Sequence, residues 1–222
     1  MQRMSRRRIE GLYPITPETS DEDWLCARVE AVLSGGARVI QYRAKSCEVG
    51  LRRQQAGRLL QLCRARGALL IVNDDVGLAQ ELGADGVHLG RDDTPPAVAR
   101  ATLGEGALIG VSCYDSLTRA RQAQDGGADY VAFGSFFPSQ VKPSAVRAPI
   151  ELLRAARATL DLPVVAIGGI TAENGRALVE AGADALAVIS ALFDASDSFS
   201  AAQALAALFE AQHEALPIGQ DT

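Results

Sequence analysis

Short apolar segments alternate with longer amphipathic segments along the chain. Most apolar segments are continuous hydrophobic runs, which is typical of parallel strands that are buried on both faces. The segments between them have apolar residues at helical spacing, as in 21–33, 51–65 and 116–124. The pattern predicts eight strands, at about 11–15, 38–42, 69–72, 86–89, 107–111, 129–133, 163–167 and 184–188.

A glycine-containing motif recurs where a predicted helix passes into a predicted strand. It reads ELGADGVHLG from 81, DGGADYVAFG from 125 and EAGADALAVIS from 180, with a related SGGARVIQY from 34. Glycine ends a helix because it adopts the left-handed conformation without a steric penalty. The recurrence, tens of residues apart, indicates a repeated helix–strand unit.

Alternation of strands and helices predicts a parallel sheet, and eight such units in 222 residues match a single (β/α)₈ TIM barrel. An open doubly wound sheet is the alternative, but no GxGxxG sequence follows the first strand and the even spacing favours closure. We therefore expect one domain over 1–222, with a polar arm at 1–10 and a frayed tail at 211–222.

Composition and charge narrow the class of function. Apolar residues make up 48% of the chain, enough for a core, and the net charge of −5 argues against a nucleic-acid partner, which needs a basic face. No segment approaches the ~20 apolar residues of a membrane helix, and no secretory signal is recognisable. The four cysteines form no CxxC pair, so reduced thiols and a cytoplasmic location are expected.

Polar residues follow nearly every predicted strand. The active site of a (β/α)₈ barrel lies at the C-terminal ends of its strands, so we expect these residues to converge on one rim. The candidates, in strand order, are Gln41, Tyr42, Arg43, Ala44 and Lys45; Asn73 and Asp74; Asp93; Ser112; Ser139, Gln140 and Lys142; Gly168 and Gly169; and Ile189 and Ser190.

Two aspartates in this set suit a metal ion. Asp74 and Asp93 follow adjacent strands, so we expect them to lie together although they are far apart in sequence. Two carboxylates and water molecules suit Mg²⁺, which also binds the oxygens of substrate phosphates. Aspartate also caps helices, and that alternative role suits Asp75 and Asp92. We predict Asp74 and Asp93 as Mg²⁺ ligands.

Cations accompany the predicted metal site. Arg43 and Lys45 alternate at the end of a strand, which places both on one face, and Lys142 lies in the long loop after the sixth strand. Arginine binds two oxygens in a fork, whereas lysine supplies a point charge. Together with Mg²⁺, these cations predict a pyrophosphate site that neutralises charge on a leaving group.

A second phosphate site is indicated at the other side of the rim. Gly168 and Gly169 follow the seventh strand and Ser190 follows the eighth, where (β/α)₈ barrels often bind phosphate. Glycine lets a ligand approach the backbone closely. Two phosphate sites imply either two phosphorylated substrates or one substrate that is phosphorylated at both ends.

An ordered set of motifs resembles the thiamine-phosphate synthase family. The motifs LYPIT, QYRAK, NDD, DGVHLGRDD, IGVSCY, GADYVAFGSFFPSQVKPSA, VVAIGGI and GADALAVIS occur in the family's order over roughly 11–193. The resemblance implies a transferase that joins hydroxymethylpyrimidine pyrophosphate to a thiazole phosphate with Mg²⁺ as cofactor. It also implies a dissociative route, in which pyrophosphate leaves before the thiazole nitrogen attacks.

The same resemblance implies individual roles. Residues 41–45 would hold the pyrimidine pyrophosphate, with Arg43 and Lys45 on phosphate oxygens, and Asn73 would touch the pyrimidine. Ser112 and Lys142 would contact pyrophosphate. The thiazole phosphate would be bound by Ser139, Gln140, Val141, Gly169, Ile189 and Ser190.

The chain departs from the family pattern at three positions. Val141 stands where a threonine is usual, Tyr114 where a histidine is usual, and Arg91 where a glutamine is usual. Related thiazole tautomerases lack the pyrophosphate-binding residues and use a histidine at the position of Tyr114. This chain has those residues and lacks that histidine, and both differences favour the synthase. A non-catalytic barrel that binds thiazole or thiamine phosphate is a third hypothesis, supported only by Val141. The sequence leaves open whether the chain forms a homo-oligomer.

Overall fold

The computed structural model describes residues 9–138 and 147–210. Eight parallel strands form one sheet in the order β1-β8-β7-β6-β5-β4-β3-β2. The strands are Gly11–Pro14 (β1), Val39–Tyr42 (β2), Leu69–Asn73 (β3), Gly86–Leu89 (β4), Leu108–Tyr114 (β5), Tyr130–Phe133 (β6), Val164–Ile167 (β7) and Ala185–Val188 (β8).

The sheet closes between its two end strands. Ile15, directly after β1, forms a bridge with Gln41 on β2. The Thr16 N–H also donates to the Gln41 carbonyl group over 2.9 Å. The predicted closed (β/α)₈ barrel is therefore confirmed, and the open doubly wound alternative is wrong.

Helices follow the strands on the outside of the barrel, and in the part of the chain that is described none is long and apolar enough to cross a membrane. They are Glu22–Ser34 (α1), Val49–Ala65 (α2), Val76–Leu82 (α3), Pro96–Leu103 (α4), Leu117–Asp125 (α5), Glu151–Thr159 (α6), Gly175–Glu180 (α7), Ser190–Phe193 (α8) and Ser198–Glu210 (α9).

The core has two layers because side chains alternate between the faces of a strand. On β6, Tyr130 and Ala132 belong to the cluster inside the barrel, while Val131 and Phe133 pack in the cluster that includes residues of the surrounding helices. All four are buried. This explains the continuous apolar runs, since both faces of each strand are covered.

One strand is longer than its hydrophobic run predicts. We expected the fifth strand to end at 111, but β5 continues to Tyr114 with a register shift between Ser112 and Tyr114. Ser112 still pairs with Ala132 on β6. Pairing with a neighbouring strand therefore extends β5 into polar residues, and Ser112 is held by the sheet rather than by a loop.

The Gly-Ala-Asp repeat has a structural role at the N-terminal ends of the strands. Each aspartate donates its backbone N–H to a carbonyl group of the neighbouring strand and accepts, with its carboxylate, the N–H of the same residue. The pairs are Asp85 with Leu70, Asp129 with Ile109, and Asp184 with Val164, at distances from 2.7 to 3.0 Å. Two opposed hydrogen bonds to one residue set the register of each strand pair.

Asp129 also forms an ion pair that is largely buried. Its carboxylate also pairs with Arg100, and the two side chains are only 19% and 17% exposed. Removing one partner leaves the other charge poorly solvated, together with an unpaired strand N–H.

We expect Asp129→Ala to lower the free energy of unfolding by roughly 2–4 kcal/mol, because a charged hydrogen bond and an ion-pair partner are lost together. Chemical denaturation measures the change. Asp161→Ala is the matched control, since Asp161 is exposed and its carboxylate has no partner within residues 9–138 and 147–210. Equal stabilities of the two variants would contradict the register role.

Candidate active site

The C-terminal ends of the strands surround a cavity of about 840 Å³. Its walls combine polar groups with apolar side chains such as Ile15, Ile167 and Val188. Of the residues proposed from the sequence, the cavity is lined by Gln41, Arg43, Asn73, Ser112, Gly168, Gly169, Ile189 and Ser190. The structure therefore brings most of the described candidates together, while their individual roles stay predictions.

The two predicted metal ligands lie side by side. Lys45 Nζ is 2.6 Å from Asp74 Oδ2, and the Asp93 carboxyl group lies close enough to that of Asp74 for their charges to interact. Burial raises the pKa of Asp93, and the adjacent Asp74 raises it further. Two carboxylates that repel each other beside one cation form a site that a divalent ion would stabilise.

The donor set fits Mg²⁺ better than a transition metal. Within residues 9–138 and 147–210, no group of three His, Cys, Asp or Glu residues is arranged to hold a metal. The Asp74–Asp93 pair would therefore need water and substrate oxygens to complete the coordination. Mg²⁺ keeps several waters and is usually bound by one or two carboxylates plus phosphate oxygens.

Local backbone structure places these acids. The Asp74 N–H donates to the His88 carbonyl group over 2.8 Å, which ties the end of β3 to β4. Asp74 has a positive φ of 63°, a conformation that aspartate adopts more readily than most residues. Gly90 donates its N–H to Asp93 Oδ2 over 2.6 Å and so orients that carboxylate.

The two predicted helix caps have different outcomes. Asp75 caps α3, since its carboxylate accepts the Leu78 N–H at 2.9 Å, and this prediction is confirmed. The suggestion that Asp92 is a cap is wrong, because α4 begins at Pro96 and Pro95 occupies the cap position. Proline suits the first turn of a helix, where its missing N–H costs nothing.

The loop after β2 is held by the loop after β1. The backbone N–H of Arg43 donates to the Thr16 hydroxyl at 2.9 Å, and Thr16 is fully buried. Glu18 accepts hydrogen bonds from the backbone N–H groups of Lys45 and Ser46 and from the Ser46 hydroxyl. The bonds from Ser46 lower the pKa of Glu18, with a smaller contribution from that of Lys45. Thr16 and Glu18 therefore position both predicted phosphate-binding cations.

Sequence reasoning missed both anchoring residues. Thr16 ends the LYPIT motif, which was noticed only as part of a resemblance. The pairing depends on two loops that lie about thirty residues apart and meet only when the barrel closes. A polar residue just after the first strand was the available signal.

Three residues of the second-strand motif do not line the cavity: Lys45, which pairs with Asp74, and Tyr42 and Ala44. The Tyr42 hydroxyl donates to Gln55 on α2 over 2.8 Å, so this side chain lies between β2 and its helix. Ala44 packs against the outer core cluster. Any contact of Tyr42 or Ala44 with a substrate would therefore have to be made by their backbone groups.

The departures at Arg91 and Tyr114 form one contact. The Arg91 guanidinium lies over the Tyr114 ring, 4.8 Å from its centroid, and both residues line the cavity. Arg119 lies 5.9 Å from the same centroid, and its Nε donates to the Ser112 carbonyl group at 2.8 Å. Such cation–π contacts hold Arg91 at the cavity mouth, where the added positive charge faces incoming ligands.

The loop after β7 has the close packing that its two glycines suggested. Gly168 and Gly169 have φ of 106° and 63°, and a Cβ atom on Gly169 would lie 2.2 Å from the Pro138 carbonyl oxygen. Asn174 donates to the Gly169 carbonyl group at 3.0 Å and accepts the Thr171 N–H at 2.9 Å. Hydrogen bonds within the loop thereby hold its backbone at the cavity wall, which Ser190 also lines.

Beneath the cavity, five polar side chains form what we call the interior network: Gln41, Tyr13, Tyr130, His88 and Ser112. Gln41 Nε2 donates to the Tyr13 hydroxyl at 3.0 Å, and the two tyrosine oxygens are 2.8 Å apart. The Tyr130 oxygen is 3.1 Å from His88 Nδ1, and His88 Nε2 is 2.9 Å from Ser112 Oγ. The His88 side chain therefore points into the barrel.

Four of the proposed site residues, Ser139, Gln140, Val141 and Lys142, lie outside the described residues. Their predicted contacts with pyrophosphate and thiazole phosphate stay predictions.

Known proteins are similar to this chain over nearly the whole barrel. A family model described as thiamine monophosphate synthase matches residues 12–192. The thiamine-phosphate synthases of Azoarcus sp. (strain BH72) and Chromobacterium violaceum are each 57% identical to this chain, over 202 and 205 residues. The alignments cover 91% and 92% of this chain and 98% and 99% of those proteins.

A solved structure gives the same result. Thiamine phosphate pyrophosphorylase from Pyrococcus furiosus superposes with a TM-score of 0.81 at 37% identity, covering 90% of this chain and 96% of that one. Residues 12–192, which the family model matches, include the acid pair and the interior network. The chain therefore belongs to the thiamine monophosphate synthase family, whose members are transferases.

Proposed function

We propose that this chain condenses hydroxymethylpyrimidine pyrophosphate with a thiazole phosphate, producing thiamine phosphate and pyrophosphate in the cytoplasm. The observation that carries the proposal is the Asp74–Asp93 carboxylate pair, with Lys45 bound to it, at the rim of the cavity that Arg43 lines. This combination suits a pyrophosphate and a divalent cation.

Asp74 and Asp93 would hold Mg²⁺, which when bound supplies positive charge to the pyrophosphate oxygens. Arg43, Lys45 and Ser112 add donors to the same oxygens, and Lys142 is proposed to do so from the loop after β6. These residues stabilise the charge that builds up as the bond between the pyrimidine methylene carbon and the pyrophosphate oxygen breaks. The electron pair of that bond leaves with the pyrophosphate.

The resulting pyrimidine cation would then be attacked by the thiazole nitrogen, whose lone pair forms the new carbon–nitrogen bond. No side-chain acid or base is needed for either step. Gly169 and Ser190 would hold the thiazole phosphate on the opposite wall, so that binding alone aligns the two reactants. The apolar walls near Ile167 and Val188 exclude water that would otherwise capture the cation.

The decisive experiment mixes the purified chain with the pyrimidine pyrophosphate, the thiazole phosphate and Mg²⁺. We expect equal amounts of thiamine phosphate and pyrophosphate, measured by chromatography and by a coupled phosphate assay. Turnover of a thiazole carboxylate phosphate alone would instead identify a tautomerase. Binding of thiazole or thiamine phosphate without turnover would identify a sensor.

We expect Asp93→Asn to reduce Mg²⁺-dependent turnover by roughly 100-fold or more, because one of two metal-binding carboxylates loses its charge. Steady-state kinetics measure the rate, and calorimetry with Mg²⁺ and pyrophosphate measures ion binding directly. Asp92→Asn is the matched control, since Asp92 is an exposed neighbour outside the acid pair. If Asp93→Asn binds Mg²⁺ and turns over like this control, the metal assignment is wrong.

Restoring the family's usual residue in the loop after β6 should strengthen binding of the thiazole substrate. We expect Val141→Thr to lower KM for the thiazole phosphate by roughly 2- to 10-fold, the effect of one added hydrogen bond. KM for the pyrimidine pyrophosphate should not change, which provides an internal control. An unchanged KM for the thiazole phosphate would show that this position does not contact its phosphate group.

A further inference from the structure

The interior network crosses the barrel and ends on two walls of the cavity. Its members come from five different strands, and Gln41, Tyr13 and Tyr130 are at most 2% exposed. Gly110 on β5 provides space for it, because a Cβ atom there would lie 2.0 Å from Cζ of Tyr130. Buried polar groups at such close spacing are a built feature, since each would be costly without its partners.

Counting protons gives this network a direction. Each tyrosine hydroxyl has one proton, and the Gln41 amide group donates to Tyr13. The arrangement that gives each tyrosine proton an acceptor has Tyr13 donating to Tyr130 and Tyr130 donating to His88 Nδ1. In that arrangement the single proton of a neutral imidazole is on Nε2, which donates to Ser112 Oγ.

Burial keeps the two phenols of the network protonated, because it raises the pKa of Tyr13 and of Tyr130. Each phenol therefore has the one proton that the count assigns to it.

The last hydroxyl group in the network has a proton left over. Ser112 Oγ accepts the N–H of His88, and within residues 9–138 and 147–210 no group accepts the proton of Ser112 itself. Ser112 lines the cavity, so a ligand is the available acceptor. Phosphate oxygens accept hydrogen bonds and donate none, which matches a hydroxyl that is restricted to donating.

We infer that His88 is a positioning residue that holds the Ser112 hydroxyl as a hydrogen-bond donor to a phosphate oxygen of the pyrimidine substrate. This inference rests on the proposed function, because that function puts a pyrophosphate beside Ser112. It assigns His88, Tyr130 and Tyr13 a joint task, although His88 is the only one of them in direct contact with Ser112.

The first test needs no substrate. The chain contains two histidines, so ¹⁵N spectra of the labelled protein can be assigned by comparison with His213→Gln. We expect His88 to be neutral near pH 7, with its proton on Nε2. A proton on Nδ1 would reverse the direction in which hydrogen bonds are donated along the network, and a charged ring would remove that direction. Either result would overturn the inference.

The second test is a double-mutant cycle with Ser112. His88→Asn has an amide group too short to reach Ser112, and we expect it to lower kcat roughly 10- to 100-fold. His88→Gln can place an N–H near the position of Nε2 and should recover most of that loss. In the Ser112→Ala background, His88→Asn should cause no further decrease, whereas an equal decrease in both backgrounds would show that His88 acts by another route.

Controls separate positioning from stability and from the proposed function. KM for the thiazole phosphate should be unchanged in His88→Asn. Asp129→Ala is expected to be less stable but to keep its kcat, because it lies at the opposite end of the barrel. If the unmodified chain forms no thiamine phosphate, the proposed function fails, while the ¹⁵N result still decides whether Ser112 is held as a donor.

Discussion

Closure of the sheet between β1 and β2 is the constraint on which the site depends. The backbone bond from Thr16 to Gln41 joins the two end strands, and the side chain of each residue has a second partner. The Thr16 hydroxyl holds the backbone of Arg43, and the Gln41 side chain begins the interior network through Tyr13. If this junction opened, the loop after β2 and the hydrogen-bonded interior would lose their positions together.

The opposite end of the barrel provides the register that makes this closure possible. The repeated aspartates each bind one residue of the neighbouring strand twice, so slippage by one residue would break two hydrogen bonds and turn side chains to the wrong face. Stability and function are therefore divided between the two ends of the strands, as is typical of this fold.

The charges at the rim are arranged for a ligand that is strongly negative. Asp74 and Asp93 repel each other, and Lys45, the cation paired with Asp74, is half exposed, so this group gains stability from an additional positive ion. Arg91 and Arg43 line the cavity itself, where phosphate oxygens would contact them. The interior network below is neutral, so it can direct a hydroxyl group without adding a charge in a region of low dielectric constant.

The sequence by itself determined the barrel, the positions of its strands and the identity of most rim residues. Hydrophobic runs are local, and the carboxyl ends of parallel strands must share one rim, so Asp74 and Asp93 could be paired without coordinates. The metal-binding role of that pair, like the roles of Ser139, Gln140, Val141 and Lys142, stays a prediction.

Only the tertiary structure decided which distant groups meet. Glu18 beneath the loop after β2, the tyrosines beneath the cavity and the extension of β5 to Tyr114 all depend on strand register and on loop contacts across the rim. Sequence spacing does not encode such contacts, because each forms only when strands and loops that are distant in sequence come together in the closed barrel.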